Sequence, residues 1–387
     1  MSDIKILDNK HICHTYRRFD VELVEGKGSI IRDTEGREYI DMGSGIGVTS
    51  FGIADDEWVE ATSSQLSKLQ HTSNLYYTQP CANLAHILCE KTGLDKVFFS
   101  NSGAEANECA IKVCRKYASE KKGEDYYTII TLVNSFHGRT LTTLSATGQD
   151  CFHQLFNPLT PGFEYAIAND ISSVEAIIRT KKVAGIMIEC VQGEGGVNPL
   201  NADFVTKLAD ICDREDVLLI VDEVQTGNGR TGKLYGYMNY GINPDVVTTA
   251  KGLGGGLPIG ATMLSSKVSN VLGYGDHGST FGGNPVSCAG AISIVERLND
   301  AFLEDVQKKS KYIFDYLSGA DGIESVSGMG LMIGIKTVKP AIDVVKQCIL
   351  DGVLCLTAKD KVRLLPALNI PYNLLTRALD VIKNACK

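Results

Sequence analysis

The sequence lacks the features that mark a membrane, secreted or nucleic-acid-binding protein. None of its apolar runs reaches the roughly 18 residues that a membrane-spanning helix needs. Its formal charge is −8, and its lysines and arginines form no run longer than two, which argues against nucleic acid as a partner. The first residues, MSDIKILDNK, do not show the basic and then apolar pattern of a secretory signal. We therefore expect no membrane association and a cytoplasmic location.

Metal-ligand and nucleotide signatures are also missing. The 12 cysteines form no C-x-x-C pair and no other spacing typical of metal ligands, so we expect reduced thiols and no metal site. The absence of a Gly-x-x-x-x-Gly-Lys-Ser/Thr motif excludes a Walker-type NTPase. No Gly-x-Gly-x-x-Gly opens the first strand–helix unit, which argues against a Rossmann dehydrogenase.

The patterns that are present predict an α/β fold. From about residue 97 onward, short apolar runs alternate with helical stretches, which is typical of a mainly parallel central sheet. Short strands at both chain ends predict a smaller α+β domain. We predict an N-terminal arm with small-domain strands over residues 1–50, a large α/β domain over 51–276, and a C-terminal small α+β domain over 277–387. Residues 1–20 are polar and are predicted to be an irregular arm.

Two apolar stretches end in charged residues. VLLIVDEV (217–224) predicts a strand buried on both faces that runs directly into Asp222 and Glu223. A second apolar stretch, 246–250, ends at Lys251, which glycines follow. Because ligands of open α/β sheets bind at the carboxyl ends of the strands, an acid and a lysine delivered there suggest a cofactor site. A structural Asp–Lys ion pair is the alternative.

Two further stretches carry groups suited to a phosphate or a flat ring. Ser102 and Glu105 form a capping-box pattern at the start of a helix, where free N–H groups at Gly103 and Ala104 favour an anion. Phe136 and Arg139 follow a strand and suit a ring and a carboxylate, with a hydrophobic plug and a surface arginine as the alternative. For the stretch that contains Ser102 and Glu105, an ordinary capped helix remains the alternative.

Two loops complete the set. ECVQGEGG (189–196) carries Glu189 and Glu194, but no histidine lies near in sequence, which argues against metal ligation. Ser279 and Thr280 precede two glycines and suit a phosphate contact, or else form a turn before a helix that starts at Pro285. Together the stretches supply a phosphate site, an aromatic ring, an acid, a lysine and an arginine, a set used by pyridoxal 5′-phosphate (PLP) enzymes.

The motifs also carry a family resemblance over nearly the whole chain. The sequence resembles the class III (subgroup II) PLP-dependent aminotransferases of fold type I, in which a large domain with a mainly parallel sheet joins a smaller α+β domain. The matching stretches are SNLYYTQP, FFSNSGAEANECAIKVCR, FHGRT, ECVQGEGG, LLIVDEVQTGNGRTGKLYG, TTAKGLGGGLPIGA, HGSTFGGNPVSCAGA and VRLLPAL.

The resemblance implies a role for each matching position. Lys251 would form the imine with PLP and Asp222 would pair with the pyridine nitrogen, as the catalytic residues. Arg139 would bind a substrate carboxylate, with Ser279 beside it. Glu194 and Arg363 would form the pair that lets one site bind two different substrates in turn. The implied cofactor-binding residues are Gly103, Ala104, Phe136, Asp222, Glu223, Val224, Gln225, Lys251 and Thr280.

The same resemblance implies the reaction and the assembly. We expect transfer of the distal amino group of N2-acetylornithine to 2-oxoglutarate, in a homodimer whose Thr280 reaches the partner's cofactor. Ornithine, succinylornithine, succinyldiaminopimelate and 4-aminobutyrate are the alternative donors, and an aminomutase or racemase, or a cofactor-free scaffold, is the alternative class. Where the family commonly has Gly-His in the glycine loop, this chain has Gly52 and Ile53, which leaves the detail of the substrate entrance open.

Overall fold

The computed structural model describes residues 2–387. The helices within this range are α1 Asp3–His11, α2 Ser44–Gly47, α3 Asp56–Lys68, α4 Gln79–Thr92, α5 Gly103–Lys122, α6 Leu141–Ala146, α7 Asp150–His153, α8 Ile171–Thr180, α9 Ala202–Glu215, α10 Pro285–Val295, α11 Asp300–Leu317, α12 Ala341–Leu350 and α13 Tyr372–Cys386. Two 3-10 helices span Gly236–Asn239 and Lys251–Leu253. None of the described helices is long and apolar enough to span a membrane.

The strands form a large central sheet and three smaller sheets. They are β1 Leu23–Lys27, β2 Ile30–Asp33, β3 Glu38–Asp41, β4 Lys96–Ser100, β5 Thr128–Leu132, β6 Phe163–Ala166, β7 Val183–Ile188, β8 Val191–Gln192, β9 Asn198–Pro199, β10 Leu218–Asp222, β11 Val246–Thr249, β12 Gly260–Leu264, β13 Ile323–Met329, β14 Met332–Thr337, β15 Val353–Leu354, β16 Leu356–Ala358 and β17 Lys361–Leu364.

The central sheet has seven strands in the order β4-β12-β11-β10-β7-β5-β6. Strands β11, β10, β7, β5 and β6 pair in parallel. Every residue of β5, β7, β10, β11 and β12 is buried, as expected for strands covered by helices on both faces. The predicted α/β fold with a mainly parallel central sheet is therefore confirmed.

Both chain ends contribute to the small sheets. The N-terminal strands β1–β3 form a four-stranded sheet with β15, whose Val353 pairs with Ile40 in parallel. A second four-stranded sheet, β13-β14-β17-β16, comes wholly from the C-terminal part. The domain boundaries at residues 50 and 276 stay a prediction.

One expectation about local structure differs from what the chain forms. The predicted irregular arm contains α1, which is N-capped by Ser2: its hydroxyl accepts a hydrogen bond from the N–H of Lys5 at 3.4 Å. Strand β12 runs antiparallel to both of its neighbours, β11 and β4. A return in parallel needs a crossover of about a dozen residues or more, which the glycine-rich segment 250–259 does not provide.

Candidate active site

A cavity of about 430 Å³ opens at the carboxyl ends of the parallel strands β10 and β11. Strand β10 ends at Asp222, and β11 ends two residues before Lys251, so the sheet delivers both side chains to one crevice. The lining residues are Val48, Asn101, Ser102, Gly103, Ala104, Asn107, Phe136, His137, Gly138, Arg139, Glu189, Asp222, Val224, Gln225, Ala250, Lys251, Gly256, Leu257, Pro258 and Ile259.

The buried Asp222 carboxylate is held by three hydrogen bonds. Its Oδ2 accepts from His137 Nδ1 at 2.8 Å and from Asn107 Nδ2 at 2.7 Å. Its Oδ1 accepts from the backbone N–H of Val224 at 3.0 Å. Because a buried carboxylate without donors is costly, these contacts keep a negative charge in place at the base of the cavity.

Two residues in contact with Asp222 are themselves held in position. Thr248 Oγ1 donates to Asn107 Oδ1 at 2.6 Å, and Asn107 Nδ2 also reaches the carbonyl of His137 at 2.8 Å. The His137 backbone N–H donates to Thr147 Oγ1 at 2.9 Å. Burial opposes protonation of His137, but its hydrogen bond to Asp222 and the nearby negative charge outweigh burial and raise the pKa of the imidazole.

Lys251 projects into the cavity from an unusual backbone conformation. Its φ is +42°, in the left-handed region that side chains other than glycine seldom adopt. Such a conformation is typical of residues that a functional site holds in place. Burial lowers the pKa of its ammonium, although the negative charge of Glu194 acts in the opposite direction. The neutral amine, which is the nucleophilic form, is thereby favoured.

The N-terminus of α5 forms the opposite wall. The prediction that Ser102 caps this helix is confirmed, because its hydroxyl accepts from the N–H of Glu105 at 3.2 Å. The return contact differs from a capping box, since the Glu105 carboxylate accepts from the N–H of Asn101 at 2.6 Å. The N–H groups of Gly103 and Ala104 lie in the first turn, where the helix offers them no acceptor. They suit an anion such as a phosphate.

Gly103 also explains how the two walls approach each other. A Cβ at this position would lie 2.6 Å from Cγ1 of Val224, so any other residue would displace the valine. Val224 can therefore contribute an apolar surface directly beside Asp222, and Phe136 adds an aromatic ring to the lining of the same cavity. A flat ring fits between such surfaces.

Phe136 and Arg139 lie next to each other at the edge of the cavity. The backbone N–H of Phe136 donates to Glu189 Oε2 at 2.9 Å. The Arg139 guanidinium lies 5.4 Å from the Phe136 ring centroid and 3.9 Å from that of Phe152. Arg139 is exposed, so its orientation is set by stacking on two rings while its charge stays available to a carboxylate.

Glu194 and Arg363 form an ion pair beside this cavity. Arg363 Nη1 lies 2.5 Å from Glu194 Oε1 and 3.2 Å from Gln225 Oε1, and Arg363 is almost fully buried. Burial raises the pKa of Glu194, but the charge of Arg363 and its hydrogen bond outweigh burial, so the pKa of this carboxyl is lowered. The pair is thus charged, and Gln225 links it to the cavity wall.

Thr280 and Ser279 lie outside the cavity of their own chain. Ser279 Oγ accepts from Asn101 Nδ2 at 3.2 Å and from the Gly282 N–H at 2.9 Å. Thr280 is exposed and lines a separate cavity of about 240 Å³ that also contains Asn74. Their predicted roles, with Thr280 reaching a second chain, stay predictions.

Glu223 is the predicted cofactor-binding residue that the geometry does not support. Its buried carboxylate accepts from Thr226 Oγ1 at 2.6 Å and from the N–H groups of Gly236 and Tyr237 at 2.8 and 2.7 Å. It is absent from the lining of the cavity. Glu223 comes directly after the last residue of β10, and its carboxylate holds the turn that follows instead of facing the cavity.

Glu189 lines the cavity, although the sequence motifs assigned no positive role to it. Its Oε1 accepts from the N–H of Gly193 at 3.3 Å, in addition to the contact with Phe136. Burial raises the pKa of this carboxyl to about 7.

Within residues 2–387, no three histidine, cysteine, aspartate or glutamate side chains are grouped so that they could hold a metal ion.

Asn107 and His137 are site residues to which sequence reasoning assigned no function. Asn107 lies four residues after Gly103 on the same helix, and this spacing places both on one face. His137 stands inside the FHGRT motif between two residues that were assigned roles. The sequence spacing of Asn107 and His137 was visible. The residue that both contact, Asp222, lies on a distant strand, so the linear pattern did not show the contact.

The residues of the cavity fit the PLP cofactor that the motifs implied. A ring has apolar surfaces on both sides, a carboxylate at one edge and a lysine within the same cavity, and a phosphate has free N–H groups at the start of α5. The close approach of Val224 to Gly103 depends on the missing side chain at position 103.

Comparison with known proteins agrees with this arrangement. The family model for class-III aminotransferases matches residues 12–386. The acetylornithine aminotransferase of Haemophilus ducreyi is 50% identical over 381 residues, which covers 98% of this chain and 97% of that protein. A structure of ornithine aminotransferase from Toxoplasma gondii, with partial occupancy of PLP at its active site, has a TM-score of 0.94 at 31% identity and covers 99% of this chain and 94% of its own.

A second solved structure gives the same result. The N-acetylornithine aminotransferase from Stenotrophomonas maltophilia has a TM-score of 0.84 at 35% identity, and the match covers 96% of both chains. The resemblance inferred from the motifs is confirmed by these matches, and the chain belongs to the class-III aminotransferase family.

Proposed function

We propose that this protein transfers the δ-amino group of N2-acetylornithine to 2-oxoglutarate, giving N-acetylglutamate 5-semialdehyde and glutamate, a reaction of arginine biosynthesis. The observation that carries the proposal is that one crevice combines Lys251 and Asp222 with Arg139 at its exposed edge and the Glu194–Arg363 pair beside it. The identity to a relative named acetylornithine aminotransferase supports the choice of donor.

We assign the cofactor contacts as follows. The N–H groups of Gly103 and Ala104 would hold the phosphate of PLP, Val224 and Phe136 would cover its ring, and Gln225 would contact the ring hydroxyl. Asp222 keeps the ring nitrogen protonated, because its carboxylate is fixed by His137 and Asn107. When bound, PLP supplies a ring that accepts electrons from the carbon bearing the amino group. The amine of Lys251, the lysine that lines the same cavity, would move the proton at that carbon.

Two carboxylate-binding groups allow two different substrates to use one site. N2-acetylornithine reacts through its distal amine, so its carboxylate lies far from the ring, where Arg139 binds it. Glutamate reacts through its α-amine, so one carboxylate lies close to the ring and needs Arg363, while the other reaches Arg139. Glu194 neutralises Arg363 when the donor is bound, since an unpaired buried charge is costly.

We also propose that the enzyme is a cytoplasmic homodimer in which Thr280 contacts the phosphate in the partner's site. In its own chain Thr280 lies away from Lys251, on a loop held by Asn74, whose Nδ2 donates to the carbonyls of Ser279 and Gly282 at 2.9 and 2.8 Å. The 12 free thiols suit a reducing compartment. Sedimentation of the holoenzyme tests the assembly, and a fully active monomer would refute it.

A donor panel tests the reaction. The holoenzyme is incubated with 2-oxoglutarate and one of N2-acetylornithine, ornithine, succinyldiaminopimelate or 4-aminobutyrate, and glutamate is measured. The proposal expects the highest kcat/KM with N2-acetylornithine among these donors. An aminomutase would instead turn over without 2-oxoglutarate, and a higher kcat/KM with free ornithine or 4-aminobutyrate would reject the acylated donor.

A further inference from the structure

The backbone around Lys251 is contacted on both sides by side chains that do not line the catalytic cavity. Lys251 has a φ of +42°, a conformation that a residue other than glycine keeps only when its surroundings impose it. Within the turn itself, the carbonyl of Lys251 accepts from the N–H of Gly254 at 3.0 Å. Trp58 and Asn228 supply further hydrogen bonds to this segment, and both are absent from the lining of the cavity.

Trp58 holds the end of the turn that follows Lys251. Its indole Nε1 donates to the carbonyl of Gly254 at 3.0 Å, and the N–H of Gly254 closes the turn on Lys251. The indole lies so close that a Cβ at Gly255 would be 3.0 Å from Nε1, and one at Gly290 of α10 would be 2.8 Å from it. The only tryptophan of the chain is thus packed between this turn and α10.

Asn228 holds the residue that precedes Lys251. Its Nδ2 donates to the carbonyl of Ala250 at 3.2 Å and to Thr249 Oγ1 at 2.9 Å, at the end of β11. Asn228 is buried and has a φ of +56°, a conformation that asparagine tolerates better than most residues. Within residues 2–387 its side-chain oxygen has no hydrogen-bond partner. The amide therefore serves this segment as a donor.

These contacts lie on either side of the one residue of the segment that needs to be held. Without them, Lys251 would relax towards an ordinary backbone conformation. Since its side chain starts from this backbone, its amine would then leave the place where it shares the cavity with Asp222. A displacement of a reacting group by about 1 Å can cost on the order of 100-fold in rate.

We propose that Trp58 and Asn228 are positioning residues, which hold Lys251 in its left-handed conformation and thereby set the place of its amine in the cavity. They act through the backbone of Lys251 and not by contact with a substrate. This inference rests on the proposed function, in which the amine of Lys251 moves the proton of the substrate.

The first readout is the separation of kcat from KM. Trp58→Phe keeps an aromatic ring in the packing and removes the N–H donor. We expect kcat with N2-acetylornithine to fall about 10-fold, an effect that loss of one hydrogen bond can have. The KM for this donor should change little, because Arg139 binds its carboxylate. Asn228→Gly suits the backbone conformation and removes the amide, so it should show the same separation.

The second readout is the pKa of Lys251 in the apoenzyme. Labelling with acetic anhydride over a series of pH values, followed by peptide mapping, gives the pH midpoint of its amine. Burial lowers this pKa from 10.5, so an amine that moves towards water in Trp58→Phe or Asn228→Gly should have a higher midpoint. Both variants retain the titratable and charged groups around the amine, which are Glu189, Glu194, Asp222, His137, Arg139 and Arg363.

The double variant tests whether Trp58 and Asn228 act on one conformation. If both hold Lys251, the combined loss of kcat should be smaller than the product of the two single losses, because the first substitution already releases the backbone. A combined loss equal to the product would mean that the two residues act separately, and it would overturn the inference.

Tyr117→Phe is the matched control. It also removes a hydrogen bond that an aromatic side chain donates, from Tyr117 Oη to Asp216 Oδ1 at 3.0 Å, and Tyr117 does not line the catalytic cavity. Its kcat and labelling midpoint should equal those of the wild type. If Trp58→Phe lowered the Tm but left kcat and the midpoint unchanged, Trp58 would be merely structural, and the inference would be wrong. Equal losses of kcat in Tyr117→Phe and Trp58→Phe would overturn it as well.

These outcomes separate the inference from the proposed function. A wild-type enzyme that produces glutamate with none of the donors would overturn the proposed function, while the labelling midpoint, which needs no turnover, would still support or overturn the positioning of Lys251. A wild-type enzyme that uses N2-acetylornithine, together with an unchanged kcat and midpoint in Trp58→Phe, would overturn the inference alone.

Discussion

Arg363 Nη1 lies 2.5 Å from Glu194 Oε1, so the buried arginine already has a carboxylate partner before any substrate arrives. We expect Arg363→Ala to slow the reaction with glutamate on the order of 100-fold or more, because the α-carboxylate loses its partner, while the reaction with N2-acetylornithine is largely kept. Glu194→Ala should shift the preference towards α-amino substrates. The reaction has two halves, one with N2-acetylornithine and one with glutamate. Rapid-mixing spectra of each half-reaction measure these effects separately.

The control for this prediction is Glu175→Ala. Glu175 is on α8, where its carboxylate lies 3.8 Å from Arg179 on the surface, and its removal should change neither half-reaction. Equal slowing of both half-reactions in Arg363→Ala would mean that Arg363 is structural and that the pair does not select between substrates.

Asp222→Asn should fold but lose activity by a factor on the order of 100 or more, since an amide cannot supply the fixed negative charge that stabilises a protonated ring nitrogen. The visible spectrum of the bound cofactor should change with it. Asp245→Asn is the matched control, because Asp245 accepts from the N–H of Leu219 at 2.9 Å outside the cavity. A near-normal kcat in Asp222→Asn would overturn the assignment.

Lys251→Ala should abolish turnover, while PLP still binds through the phosphate and ring contacts. Borohydride reduction of the wild-type holoenzyme, followed by peptide mapping, should place the cofactor on Lys251. Lys309 is an internal control, since it is also buried but is paired with Asp305 at 2.6 Å and does not line the cavity. Label on Lys309 or on any other lysine would reject the assignment.

The buried carboxyl of Glu189 predicts a pH dependence of stability. Burial raises its pKa from 4.5 to about 7, so between these values the folded chain keeps a proton that the unfolded chain has lost. The stability from this group is therefore complete below pH 4.5 and is lost as the pH rises through about 7. Glu189→Gln stays neutral, and its single carbonyl oxygen can replace one of the two carboxylate oxygens that accept from the N–H groups of Phe136 and Gly193.

We therefore expect the Tm of Glu189→Gln, relative to the wild-type apoenzyme, to rise between pH 5 and pH 8 by about 1 °C for each kcal/mol involved. Exposed Glu175→Gln should show no such trend. Parallel Tm curves for Glu189→Gln and the wild type would show that Glu189 does not take up a proton on folding.

Periodicity and strand-end chemistry predicted most of the central sheet and the meeting of Asp222 with Lys251. The helix α1 was missed because its apolar residues Ile4, Ile6 and Leu7 are all exposed. Its stability comes instead from the Ser2 cap and from local ion pairs such as Lys5–Asp20 at 2.5 Å. A helix without a buried face gives no periodic signal that distinguishes it from an arm.

Other features depend on contacts that a linear pattern does not contain. Asp222 and Glu223 are neighbours in sequence, and only the fold shows that Glu223 accepts hydrogen bonds from the turn residues Gly236 and Tyr237 instead of facing the site. The Asn107–Asp222 contact likewise joins a helix to a distant strand.

The fate of the δ-nitrogen tests the central claim most directly. N2-acetylornithine carrying heavy nitrogen at the δ position is incubated with the holoenzyme and 2-oxoglutarate, and the products are analysed by mass spectrometry. The account predicts that the label appears in glutamate and that the acylated α-nitrogen stays with the semialdehyde. Glutamate without the label, or label retained in the acylated product, would contradict it.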